Sequence, residues 1–177
     1  WWEWAHRFLG RLIGVAFILP LIYFTLKLGF KKLFNLYIIF ILICFQGFLG
    51  WFMVQSGLVY DVDVSHFRLS IHLLFAFIIL SLIFWNYLKT KVKINFENTI
   101  NLIFPLGFLF LIFLQIIIGA FVSGMDAGKI YNSWPLMGSS FFPDDNDYSN
   151  LFKLSAFSDP SLVQFIHRKL AYLIGFV

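Results

Sequence analysis

The sequence predicts an all-α integral membrane protein built as a bundle of long apolar helices, and three observations carry that prediction. Of 177 residues, 60% are apolar and only 12% are charged, against roughly 25% charged in an ordinary soluble domain. The apolar residues are gathered into uncharged blocks close to the roughly 20 residues needed to cross a ~30 Å hydrocarbon core. The basic residues stand in short clusters between those blocks. Backbone groups in lipid must find partners within their own segment or a closed barrel, and the ~10-residue alternating strands of a barrel are absent.

The same figures exclude other classes. An aromatic content of 21%, with 12 glycines, 5 prolines and a single cysteine, does not suit a disordered tail, a collagen-like fibre or a disulfide scaffold. A net charge of +4 would point to nucleic acid if the cations formed one stripe; scattered between apolar blocks, they read as an orientation signal, so the expected surroundings are a lipid bilayer and no nucleic acid. Cys44 has no partner in the chain and reads as a small buried hydrophobe.

Five spans follow in order. Leu12 to Leu26 is lengthened at its start by Trp4 to Arg11; Leu33 to Val54, Leu69 to Leu88 and Ile100 to Val122 come next, and a fifth begins at Leu162. Lys27, Lys31 and Lys32 share one short loop, and Lys89, Lys91 and Lys93 another, both on one side if the helices alternate. That side is the cytoplasm or matrix. Asp61, Asp63, Asp126, Asp144, Asp145, Asp147 and Asp159 fall in the opposite loops, 55 to 66 and 123 to 161. The second of these loops is long and mixes polar residues with Phe141, Phe142, Leu151, Phe152 and Phe157, which predicts a segment folded back on the bundle mouth.

His6-Arg7-x-Leu9-x-x-Leu12-Ile13-Gly14 returns as His167-Arg168-x-Leu170-x-x-Leu173-Ile174-Gly175. The first and fifth spans are thus expected to be equivalent members of an internal repeat, and the chain to be the central part of a longer protein of about eight spans.

Three of the four histidines share a setting: the outward end of a span, with an arginine beside them or one turn away. These are His6 with Arg7, His72 with Arg68, and His167 with Arg168. Ionisable residues at that depth are costly unless they face a bundle interior. Imidazoles from facing helices are the usual ligands of an iron porphyrin held in a bundle, and its propionates call for cations at the membrane surface. Arginine meets a carboxylate with a two-pronged hydrogen bond. All four arginines lie within five residues of a histidine, and the lysine loops contain none. The plainer alternative is a set of interfacial histidines capping helix ends, with arginines reaching to head groups. Glu3 stands one turn before His6 on the same helix face. It is either within reach of whatever His6 binds or simply an acid at a helix N-terminus. His66 lacks the repeated setting and reads as an ordinary surface or capping residue. Gln46-x-x-x-Gly50 and Gln115-x-x-x-Gly119 place a glycine where a flat group or a helix can approach closely.

At this point the residues resemble a family. Glu3-x-x-His6-Arg7-x-x-Gly10-Arg11, Gln46-Gly47-x-Leu49-Gly50-x-x-Met53-Val54-x-Ser56-Gly57-Leu58, Arg68-Leu69-x-x-His72-Leu73, Gly124-Met125-Asp126-Ala127-Gly128-x-x-Tyr131-Asn132-Ser133-Trp134-Pro135-x-Met137-Gly138 and Gln164-Phe165-x-His167-Arg168 are similar to the haem A synthases of mitochondria and proteobacteria. The resemblance implies two pseudo-symmetric four-helix halves, with this chain running from the second to the start of the sixth of eight spans. Residues 1–88 would belong to the N-terminal half and 89–177 would begin the C-terminal half. The implied activity oxidises the C8 methyl of haem O to a formyl group, giving haem A for cytochrome oxidase.

On this resemblance His6 and His72 would ligate the substrate haem, with Arg7 and Arg68 beside them and Glu3 as the catalytic carboxylate. His167, with Arg168, would hold a haem b as cofactor, and its partner ligand would lie beyond Val177. Expected partners are haem O, the farnesyltransferase that makes it and the lipid bilayer; whether the chain forms a homo-oligomer is left open by the sequence. The implied location is the bacterial plasma membrane, or the mitochondrial inner membrane in a eukaryote. A cysteine pair that another branch carries in the loop corresponding to 123–161 has no counterpart here. Two other classes compete: a bis-histidine cytochrome b that relays electrons, which the His-Arg motifs fit equally well, and a repeat-built transporter, which would show charges at mid-depth.

Overall fold

The computed structural model describes residues 1–57, 64–91 and 101–176. Asp61, Asp63 and Lys93, used above for orientation, lie outside the described residues, as does the first part of the fourth expected span. The described residues are helical: α1 Trp2–Leu28, α2 Phe34–Gly57, α3 His66–Lys91, α4 Ile103–Gly124 and α5 Pro160–Phe176, with short 3₁₀ turns between. Among them the only β feature is an isolated bridge between Met137 and Ser140. Four helices, α1 to α4, are long and apolar enough to cross a membrane; α5 has 17 residues. The all-helical class and the order of the spans are as the sequence predicts.

The chain forms two compact units. The first comprises Trp1–Phe52 and Phe75–Ile94. Here α1 runs to Leu28 despite Pro20, and it stops at Gly29, whose φ of 80° leaves the helical region. A 3₁₀ turn, Phe30–Leu33, then reverses the chain. Thr25 and Tyr37 share a hydroxyl–hydroxyl hydrogen bond of 2.8 Å, and Phe17 stacks on Phe40, so α1 and α2 pack as an antiparallel hairpin. Leu21, Ile39 and Ile79 are buried in this unit, whereas large side chains such as Leu19 and Leu26 are exposed. Apolar exposure on that scale suits lipid, where a soluble surface would not tolerate it.

The second unit comprises Met53–Leu74 and Asn95–Val177. Its core is the α4–α5 interface, where Ile118, Phe121, Val163 and Leu170 are buried together. The helix start is written in the sequence Asp159-Pro160: the Asp159 carboxylate accepts the amide of Leu162 at 3.0 Å, and proline occupies the first helical position, where its missing N–H costs nothing. The start of α3 lies against the end of α4 because residue 124 has no side chain; a Cβ there would come within 2.9 Å of His66 Cα.

The segment between α4 and α5 folds back, as its aromatics predict, and it does so onto α5. Phe142, Ala156 and Leu162 form a second small core with Phe165 packed against it. Phe152 and Leu154 nevertheless remain almost wholly exposed. Asp144 closes the turn at Gly138–Ser139 by accepting the Ser139 amide and hydroxyl.

Candidate functional site around the His167 turn of α5

Gln164, Arg168 and Tyr172 are spaced four residues apart and form one stripe along α5. Gln164 is 5% exposed. Its Nε2 donates to the Tyr131 carbonyl at 2.9 Å, and its Oε1 accepts the Tyr131 amide at 3.2 Å. Arg168 donates through Nη2 to the same Tyr131 carbonyl at 2.6 Å. Through Nη1 it reaches the carbonyls of Ser133 at 2.9 Å and Leu136 at 3.4 Å. Trp134 completes the strip by donating its indole N–H to the Tyr172 hydroxyl at 2.7 Å. The segment Tyr131–Leu136 is thereby fastened along one face of the helix.

Asp145 ties the same segment to the start of α5. It accepts the Tyr131 hydroxyl at 2.9 Å and the Ser161 hydroxyl at 2.6 Å. Burial by itself raises the Asp145 carboxyl, but the Ser161 and Tyr131 hydroxyls outweigh it and hold the group below the usual carboxylate value. Burial, followed by the hydrogen bond to Asp145, pushes the Tyr131 phenol up. Asp144 is held low by the Ser139 amide and then its hydroxyl.

On the neighbouring face of the same α5 turn, His167 packs against α4. Its imidazole lies over Gly119, where a Cβ would stand only 3.1 Å from His167 Cε1. The Gln115 amide nitrogen is 3.2 Å from His167 Nε2 and donates to the His167 carbonyl at 3.4 Å. Among the described residues, His167 Nδ1 and Gln115 Oε1 are buried without a hydrogen-bond partner. An enclosed imidazole nitrogen without a partner is one that an added ligand can complete, so the residues present fit a metal-bearing group at this position. The Gln115-x-x-x-Gly119 spacing makes room for that imidazole.

The other expected site residues are distributed as follows. Glu3, His6 and Arg7 lie on the first turns of α1 and are exposed. The Arg7 guanidinium donates to the Glu3 carboxylate at 2.7 Å, so this carboxylate is joined to the arginine one turn on. Arg68 and His72 stand half-buried near the start of α3. His66, expected at the surface or capping a helix, stands at the start of α3 and is half-buried: its ring meets Phe121 edge-on, with centroids 5.3 Å apart, and its Nε2 is enclosed without a hydrogen-bond partner among the described residues. The cause is the close approach of α3 at Gly124, which the sequence motif contains but does not explain. Neither Gln164 nor Asp145 stands out in the sequence as a site residue. The spacing Gln164-x-x-x-Arg168, which puts two hydrogen-bonding side chains on one helix face, is the signal that finds the first.

These features define the class: a multi-pass helical membrane protein whose long loop is bound to the helix turn that carries its His-Arg pair. A family described as cytochrome oxidase assembly protein matches residues 1–177, and the chain belongs to that family. A haem A synthase of Pelagibacter ubique is 52% identical over 180 residues, covering 99% of this chain and 53% of the relative. One of Rickettsia bellii is 44% identical over 182 residues, covering 99% and 54% respectively. One of Flavobacterium psychrophilum is 44% identical over 184 residues, covering 98% and 53%. The chain thus spans about half the length of the curated relatives it matches. No solved structure matches it.

Proposed function

We propose that the full protein is a haem A synthase, an oxidoreductase that converts the C8 methyl of haem O to a formyl group. The observation that carries this reading is the His167 site: an imidazole seated on a residue without a side chain, beside Gln115, whose enclosed Nδ1 has no hydrogen-bond partner among the described residues. It is supported by relatives named heme A synthase that match the chain from end to end.

In this reading His167 is one ligand of a haem b in a C-terminal half that begins within residues 89–177. His6 and His72 ligate the substrate haem in an N-terminal half comprising 1–88, with Arg7 and Arg68 toward its propionates. Haem supplies the redox chemistry when bound; the chain's own residues bind, orient and exclude water. Glu3 is the carboxylate of the substrate half, joined to Arg7 at 2.7 Å and one turn before His6. The reading places the protein in the bacterial plasma membrane, alongside the farnesyltransferase that supplies haem O and in a homo-oligomer.

The test is a haem extract of membranes containing the full-length protein and supplied with haem O. Haem A in the extract supports the proposal. An extract holding haem b and unconverted haem O, with no haem A, sinks it in favour of an electron-relaying cytochrome b.

A further inference from the structure

The α5 turn from Gln164 to Arg168 is held on two faces at once. On one face His167 is packed over Gly119 and beside Gln115. On the other, Gln164 pairs with both backbone groups of Tyr131, and Arg168 grips the carbonyls of Tyr131, Ser133 and Leu136. A helix cannot rotate or slide on one face without breaking the contacts on the other, so the place of the outward segment and the place of the imidazole are mechanically joined. Gln164 is buried, and a buried amide that lost Tyr131 would leave unpaired donors and acceptors on both sides. The guanidinium, which adjacency to His167 would assign to a carboxylate of the bound group, is instead spread over three main-chain carbonyls.

We infer that Gln164 and Arg168 are positioning residues for His167, acting through the segment Tyr131–Leu136 as a strap across the turn that carries it. The inference rests on the proposal that His167 ligates a haem. Arg168 then serves the site by holding the loop, and the repeated His-Arg pair on α5 has its arginine directed to the protein's own backbone.

The experiment uses the full-length protein in membranes with the outward face accessible, and compares Gln164→Ala, Arg168→Ala, Arg168→Lys and the milder Tyr172→Phe. Two readouts are taken on each. The first is the rate of trypsin cleavage at Lys129 and Lys153, both exposed in the loop; the second is the reduced-minus-oxidised spectrum of haem b. Cleavage reports local opening of the strap. The expected result is cleavage about tenfold faster in both alanine variants, accompanied by loss of the normal low-spin haem signal. Arg168→Lys, which keeps a donor for the Tyr131 carbonyl, should return both readouts toward the unaltered protein. Tyr172→Phe, which removes only the acceptor of the Trp134 N–H, should speed cleavage less.

A changed spectrum in Arg168→Ala with cleavage unaltered would overturn the inference and assign Arg168 to a carboxylate of the haem. Faster cleavage in both alanine variants with an unaltered spectrum would also overturn it, since the strap would then not position His167. Failure of the underlying reading shows separately: an unaltered haem b spectrum in His167→Ala removes His167 from the haem site whatever the cleavage rates.

Discussion

The missing side chain at position 119 sets where His167 can sit. Gly119→Ala would place a methyl group 3.1 Å from His167 Cε1, so the ring must move by a few tenths of an ångström, at a cost of about 1–3 kcal/mol if the core resists. The expected outcome is retained protein with an altered haem b spectrum. Glu3→Ala and His72→Ala should differ in kind from His167→Ala: the first two stop conversion of haem O and leave the haem b spectrum largely intact, and the third loses haem b or changes its spin state. A haem extract and a redox difference spectrum of each variant check this; a normal low-spin haem b in His167→Ala together with its loss in His72→Ala would reverse the two halves. Gly138 is a second demanding position, with φ of 88° and no room for a side chain, whose Cβ would fall against Asp144 Oδ2. Gly138→Ala should therefore destabilise the turn by at least about 1–2 kcal/mol, seen as faster hydrogen exchange of the Ser139 amide.

At the scale of elements, the loop between α4 and α5 depends on carboxylates whose ionised form is the one that bonds. Asp144 and Asp145 are both held below the usual carboxylate value. A group lowered in the folded state contributes stability that is present above its unfolded pKa, near 4, and is lost as pH falls through the lowered folded value. Hydrogen-exchange protection of residues 131–145 should therefore be flat above about pH 5 and fall below about pH 4. Asp145→Asn, which cannot accept from both Tyr131 and Ser161 with the same strength, should lower that protection at neutral pH. Unchanged exchange in the variant would show that Asp145 does not anchor the loop. The helices themselves were legible because lipid imposes length and apolarity on each span. The start of α5 was equally legible in Asp159-Pro160. The direction in which the loop folds was visible only as a scatter of aromatics, because which helix they meet depends on contacts between residues far apart in the chain.

For the whole molecule, the lysine clusters at the ends of α1 and α3 predict orientation, with Lys27 and Lys89 inside and Asp145 outside. Cysteines placed at 89 and 145 and labelled from outside the cell check it: modification at 145 alone is expected, and modification at 89 alone would invert the topology. The pseudo-repeat of α1 and α5 belongs to this scale too. Its two His-Arg pairs are alike in sequence, yet Arg7 is joined to Glu3 on its own helix while Arg168 is joined to a loop 32 to 37 residues away.

The sequence by itself determined the helical membrane class, the order of the spans, the repeated histidines and the family resemblance, because each rests on local composition or on spacing along one helix. Tertiary structure decided what those residues touch. It set the Arg168 guanidinium on main-chain carbonyls, enclosed His66 against Phe121, and showed that Gly119 is empty so that an imidazole can occupy the space. Periodicity fixes which face of a helix a residue lies on; only the packing of a distant segment against that face decides whether the side chain meets a backbone, a ring or a ligand.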